Sequence, residues 1–175
     1  FLKMLCYCFF MTAVITNISR RPRVPSEVIA HARKIHLIDI ENLCGSSMPT
    51  RRQVEAARVR YEDEVPIGNL DCVVIASARG NLFTAHLGWP GARYLARDGK
   101  DGADSCLAEV IVEEELPRRF GAAVVASGDG GLAPFVAHLA SCGMETIVVS
   151  LSNRLSRRMR MAAHKSIVLE PELQN

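Results

Sequence analysis

The sequence contains no C-x-x-C pair and no group of His and Cys at short spacing. A structural zinc site needs clustered ligands of that kind, so this class is excluded. No G-x-S-x-G elbow is present, and Ser127 precedes Gly-Asp instead, which argues against triad hydrolysis. Gly128-x-Gly130-Gly131 is not G-x-G-x-x-G and falls late in the chain, which argues against a dinucleotide site and leaves no small-molecule cofactor expected. Internal repeats and low-complexity segments are missing. Aromatic residues make up only 6%, with a single Trp. The charge excess is small: 21 Lys and Arg against 19 Asp and Glu give +2, a balance that neither demands nor excludes a nucleic-acid partner.

What is present suits one globular domain. The 175 residues are 49% apolar and 23% charged, close to globular averages. A chain of this length buries enough surface to fold without disulfides or structural metal. Of the six cysteines, Cys44, Cys72, Cys106 and Cys142 stand alone inside or beside apolar runs, as do buried free thiols in a reducing compartment. Cys6 and Cys8 lie in an apolar opening segment, Phe1 to Ile18, interrupted by Lys3, Thr12, Thr16 and Asn17. That run is marginal for a membrane span of ~20 residues and has no clear small-residue cleavage site. A start read too far upstream, with Met11 as an alternative, is preferred over an anchor or a signal. A cytoplasmic protein with no membrane partner is therefore expected. Ser19 to Pro25 reads as a basic, Pro-broken linker, so residues 1–34 stand apart from a domain over 35–175.

From Ile35 the pattern alternates. Apolar runs at Ile35–Ile40, Asp71–Ser77, Ala92–Ala96, Ala122–Ser127, Thr146–Ser150 and Ser166–Leu169 suit strands buried on both faces. Helical stretches are expected over roughly 50–63, 80–87, 103–117, 132–142 and 153–163. This alternation predicts an α/β domain with a mainly parallel sheet and right-handed crossovers that place helices on both faces.

In such a sheet, ligands bind outside the carboxyl ends of the strands. Three of the runs end in acids: Asp39 after the first, Asp129 in Ser127-Gly-Asp-Gly-Gly131, and Asp98, Asp101 and Asp104 after Ala92–Ala96. Carboxylates that converge on one crevice raise each other's pKa unless a cation compensates, and hard oxygen donors suit Mg²⁺ or Mn²⁺. Such an ion supports in-line attack on a phosphodiester. Each acid also has a plainer reading. Asp39 and Asp129 suit turns, Asp101 can cap a helix, and Asp104 is favourable in a first helical turn.

Three motifs occur in the order found in a known family. Asp39-Ile-Glu-Asn42-Leu43 resembles the D-x-x-N-[LI] opening of NYN domains, a PIN-like ribonuclease fold. Gly102-Ala-Asp104 followed by Leu107-Ala108 resembles that family's G-[AV]-D-x-x-L-A motif. Ser127-Gly-Asp129-Gly followed by Leu132-Ala-Pro134 resembles its S-G-D-[GS]-D-[FY]-x-P motif. The resemblance covers roughly residues 35 to 169. It implies a three-layer α/β/α sandwich of the PIN-like Rossmannoid kind and a metal-dependent ribonuclease. It also implies that Asp39, Asp104 and Asp129 hold Mg²⁺ or Mn²⁺, with Asn42 as a polar partner orienting a ligand or water. One departure stands out. The family often carries a second acid two residues after the S-G-D Asp, and Gly131 occupies that position here. This leaves three alternatives: one ion rather than two, a contribution from Asp101 or Glu109 as lesser candidates, or an RNA-binding module with little or no turnover. A phosphatase using Asp39 ranks well behind both, because Ile40 separates Asp39 from Glu41.

Arg154, Arg157, Arg158 and Arg160 crowd one expected helix, with Lys165 just beyond and no acid between. Leu155, Met159 and Ala162 share its other face, so the Arg side is read as facing outward, either as a phosphate-binding surface or as a solvated face. Arg20, Arg21, Arg23, Arg51 and Arg52 extend that basic set. Trp89, Phe83 and Tyr94 are read as packing beneath loops rather than stacking on bases, and Ser77 and Lys100 as residues able to line the cleft. RNA is thus the expected partner. A homodimer is also open, because small sandwiches pair through exposed helices.

Overall fold

Runs rich in Val, Ile, Leu and Ala form the inner strands because they can be buried on both faces at once, and partly exposed runs form the two edges. The computed structural model describes residues 32–171. The segment 1–31, with its expected linker and Arg20, Arg21 and Arg23, lies outside the described residues, as do 172–175. The strands are β1 (Lys34–Asp39), β2 (Cys72–Ser77), β3 (Arg93–Ala96), β4 (Ala122–Ala126), β5 (Glu145–Leu151) and β6 (Lys165–Leu169). They build one sheet in the order β3-β2-β1-β4-β5-β6, and every pair is parallel. Chain order therefore reverses between β1 and β4, and a crevice opens there at the carboxyl ends.

Seven α-helices connect the strands: α1 (Ile40–Cys44), α2 (Arg51–Glu64), α3 (Leu82–Gly88), α4 (Gly102–Glu113), α5 (Leu116–Arg119), α6 (Ala133–Ser141) and α7 (Arg157–Ala162). They cover both faces. Ile35, Leu37, Val74 and Val125 meet Leu107 and Ile111 of α4, Val136 and Leu139 of α6 and Met159 of α7 on one side. Ile38, Ile75, Val124 and Val149 meet Leu43 of α1, Val54 and Tyr61 of α2 and Ala85 of α3 on the other. The alternation along each strand, with side chains pointing to opposite faces in turn, makes these two cores. The result is a three-layer α/β/α sandwich around a parallel sheet.

Three helical expectations are corrected. The stretch 103–117 breaks at Glu115, which adopts left-handed φ 47 just before Leu116 and Pro117, so α4 ends and α5 begins. The stretch 153–163 shortens to α7, because residues 152–154 form a turn and Ser156 caps the helix by accepting the Met159 N–H. The stretch 80–87 begins as a 3₁₀ turn, Arg79–Asn81, before α3. The short helix α1 was not expected. It forms because the Asp39 carboxylate caps it and Gly45, at φ 71, closes it.

Packing of the aromatics differs from the expectation at one position. Trp89 is buried edge-on against Tyr61, and Tyr94 is half-buried against His86. Phe83 is instead 71% exposed, because Ala85 and Gly88 form the buried side of α3. A polar trio sits inside the sandwich. The His36 Nδ1 lies 2.6 Å from the Tyr61 hydroxyl, and its Nε2 lies 3.3 Å from Asp71 Oδ2. Burial lowers the His36 pKa, while Asp71 partly opposes this.

Candidate functional site

The carboxyl ends of β1, β3 and β4 surround a cleft of about 670 Å³ lined by Asp39, Asp101, Asp104 and Asp129. Each acid arrives by a different local device. Asp39 ends β1, and its Oδ1 accepts the Asn42 N–H at 3.0 Å, which starts α1 and fixes the carboxylate at the strand tip. Asp101 precedes α4 in a left-handed conformation, φ 59. Gly102 makes this loop possible, since a Cβ there would stand 2.3 Å from the Arg97 carbonyl oxygen. Asp104 then lies in the first turn of α4 and faces the sheet end. Asp129 follows β4, and its Oδ1 accepts the Gly131 N–H at 2.7 Å.

The loop after β4 is clamped on both sides. Asn42 Oδ1 accepts the Gly128 N–H at 3.0 Å and so ties the β1 corner to the Asp129 loop. This is a scaffolding bond inside the protein, made by a residue that also lines the cleft. The Ser156 N–H donates to the Gly128 carbonyl at 3.0 Å. A Cβ on Gly128 would stand 2.2 Å from the Arg154 carbonyl oxygen and 2.4 Å from Ser150 Oγ, so only glycine fits.

One carboxylate oxygen from each of Asp101, Asp104 and Asp129 lies within 4.8 Å of the others. Asp39 stands beside them, close enough for the Asp104 charge to raise its pKa. Burial is the first cause that pushes Asp39 up to about 7. The charges of Asp104 and Glu41 add to it, and the Asn42 and Glu41 N–H groups oppose it. Burial also pushes Asp104 up to about 6, followed by the charges of Asp129 and Asp101. Among the described residues, none of these four aspartates is in an ion pair. Asp104 Oδ1 is buried without a hydrogen-bond partner. All-carboxylate donors, an orphaned buried oxygen and the lack of an ion pair among the described residues together suit a hard divalent ion.

Other expected residues fall elsewhere. Glu109 leaves the cluster: its two oxygens accept from Arg97 Nη1 and Nη2 at 2.7 and 2.8 Å, on the outer face of α4. It projects away because it lies five residues after Asp104, about 500° around the helix. Arg154 lines the cleft from the turn after β5 and donates from Nη2 to the Gly45 carbonyl at 2.8 Å. Arg157 and Arg158 are exposed at the start of α7, and Arg158 packs over the Gly130 loop next to Asp129. Arg160 lies further along the same helix, while Arg51 pairs with Glu55 on α2. Lys165 lies away from the cleft. It opens β6, and in a parallel sheet the first residue of a strand lies at the end opposite the cleft. Ser77 is buried at the end of β2, its hydroxyl without a partner. Lys100 lines a neighbouring groove.

Glu41 was not singled out by its sequence context. Its Oε1 accepts from the Ala78 N–H at 2.9 Å and from Asn81 Nδ2 at 2.7 Å, which pins the β2 corner to the cleft wall. The signal available for it was its place within Asp39-Ile-Glu-Asn42.

No protein-family model and no curated protein matches this sequence. A solved structure does match: the crystal structure of a protein of unknown function from Vibrio parahaemolyticus. It superposes with a TM-score of 0.56 at 14% identity, over 79% of this chain and 93% of that chain. The likeness shows the fold alone.

Proposed function

We propose that this chain is a metal-dependent ribonuclease of the NYN, PIN-like kind. The observation that carries the reading is the meeting of Asp39, Asp101, Asp104 and Asp129 at the β1/β4 switch point with none of them ion-paired among the described residues. Asp104 and Asp129, with Asp39 and Asp101 beside them, would hold Mg²⁺ or Mn²⁺. The ion, when bound, supplies Lewis-acid stabilisation of charge on a phosphodiester and acidifies water. The protein's own part is placement. Asn42 and Glu41 hold the strand corners rigid, and in the metal-free protein burial holds the Asp39 pKa at about 7. Arg154 and Arg158 lie near Asp129 and Arg157 is exposed on the same helix as Arg158, a basic set that draws a polyanion toward the acids.

Among the described residues no helix is long and apolar enough to cross a membrane. A cytoplasmic location belongs to the same proposal. A second reading has one specific observation behind it. Position 131 borders the acids, its N–H donating to Asp129 Oδ1 at 2.7 Å, and it carries no carboxylate. The absence of one there favours a module that binds RNA and turns it over weakly or not at all.

The test is end-labelled single-stranded RNA incubated with the full chain in Mn²⁺, in Mg²⁺ and in EDTA, beside Asp129→Asn. Cutting that needs the metal and is lost in Asp129→Asn supports the nuclease. RNA bound but uncut in every metal moves the reading to the binding module. Cutting that persists in Asp129→Asn refutes the assignment of the site.

A further inference from the structure

The four-aspartate cleft is not the only depression the acids border. A second groove of about 430 Å³ lies on the other side of Asp101, Asp104 and Asp129, between α4 and α6. Its wall differs in chemistry. Ala108, Leu132 and Phe135 supply an apolar surface, and Lys100 and Ser105 stand on the rim. Lys100 is exposed and makes no ion pair among the described residues. The acids thus form a ridge between two unlike hollows. The cleft carries Arg97 and Arg154, which suit phosphate, and the groove carries an aromatic ring and aliphatic carbon, which suit a flat apolar ligand.

Gly131 also lines this groove. A Cβ there would meet no atom closer than the Asp129 carboxylate at 3.3 Å, so a side chain at 131 would project into free space. Its φ is not left-handed, and backbone geometry therefore does not demand glycine. The absence of a side chain keeps the groove open.

We infer that this groove is a nucleobase subsite, in which Phe135 stacks the base next to the phosphodiester held at the acids. This rests on the ribonucleic-acid reading above and deepens it. The occupant is one unpaired base of a single strand, because a base held in a duplex cannot leave its stack to reach Phe135 without unpairing. Lys100 contacts the adjoining phosphate or the base edge. Phe135 is then a specificity-determining residue, and the position at which other members of the resembled family often carry an acid gains a steric role here.

The experiment measures binding in Ca²⁺, a hard cation that carboxylate oxygens also hold, by fluorescence anisotropy of a short labelled single-stranded RNA, with the full chain and with Phe135→Ala and Gly131→Leu. A second oligonucleotide lacks the base at one central position. Thermal unfolding of each variant shows that it is folded. The expected result is a loss of about tenfold in RNA affinity for either variant. The abasic oligonucleotide binds the wild type about as weakly, and the variants cause no further loss with it. If wild-type affinity is measurable and neither variant changes it, the groove is not a base subsite, while RNA binding at the cleft still stands. If the wild type binds neither oligonucleotide, the ribonucleic-acid reading fails and the subsite falls with it.

Discussion

Replacing Asp39 by Asn removes one charge from the cleft and keeps the helix cap, because an amide oxygen can still accept the Asn42 N–H. In the metal-free protein that charge is costly. Burial first, then Asp104 and Glu41, push the carboxyl from 3.8 up to about 7. This rise corresponds to roughly 4 kcal/mol against the ionised form above pH 7. Local relaxation and water entry leave on the order of 2 kcal/mol as a lower figure. A carboxyl whose folded pKa is raised favours the fold most at low pH, and the advantage is lost as pH rises through about 7. Asparagine does not titrate. Asp39→Asn is therefore expected to exceed the wild type by about 2–4 kcal/mol at pH 8, and by less than half of that at pH 5. His36, whose pKa burial lowers, costs stability below its ordinary range in both proteins and cancels in the difference. Urea unfolding in EDTA at the two pH values reads the effect directly. An Asp39→Asn protein no more stable than the wild type at pH 8, or an advantage independent of pH, would refute the claim that the cleft holds uncompensated charge.

Gly128→Ala drives a methyl into the Arg154 carbonyl and Ser150 Oγ, so a loss of about 1–3 kcal/mol is expected in urea unfolding. The same change displaces Asp129, and a weaker Mn²⁺-induced rise in Tm would register it. Tyr61→Phe removes the hydroxyl 2.6 Å from the buried His36 Nδ1 and is expected to cost about 1–2 kcal/mol, with the fold retained by circular dichroism. Glu41→Ala leaves the Ala78 N–H and the Asn81 amide without their acceptor, a cost of about 1–3 kcal/mol, which Glu41→Gln should largely restore. Equal losses in Glu41→Ala and Glu41→Gln would mean that charge, not acceptance, is what Glu41 provides.

Much of the layering was legible because buried parallel strands leave a strong local trace. Ala122–Ala126 is apolar at every position and is buried at every position, and β1, β2 and β5 are buried over most of their length, while the edge strands β3 and β6 are only partly covered. The edges of helices were less legible. Arg154 reads as helical by neighbourhood, yet the Ser156 cap starts α7 later. Phe83 reads as packed beneath a loop by type, yet the inward face of the seven-residue α3 carries Ala85 and Gly88 instead. Within the site, acids following apolar runs were visible as residues near strand tips. Which of them meet was not. Glu109 is close to Asp104 in sequence but turns away to Arg97, while Asp101 turns in because its backbone is left-handed.

The amino-acid sequence by itself determined the alternation of strands and helices and the placing of Asp39 and Asp129 at the ends of β1 and β4, since both follow from short-range patterning. Only the tertiary structure decided that β1 and β4 are neighbours, through pairings such as Ile38 with Ala126, 88 positions apart in sequence. Strand order is set by packing between distant segments, and no local pattern encodes it. The same long-range order sends Lys165 to the far end of the sheet, although it follows the arginine cluster closely in sequence. Burial at the switch point, with Asp104 alongside, then raises the Asp39 pKa, an effect that belongs to the assembled site and to no residue alone.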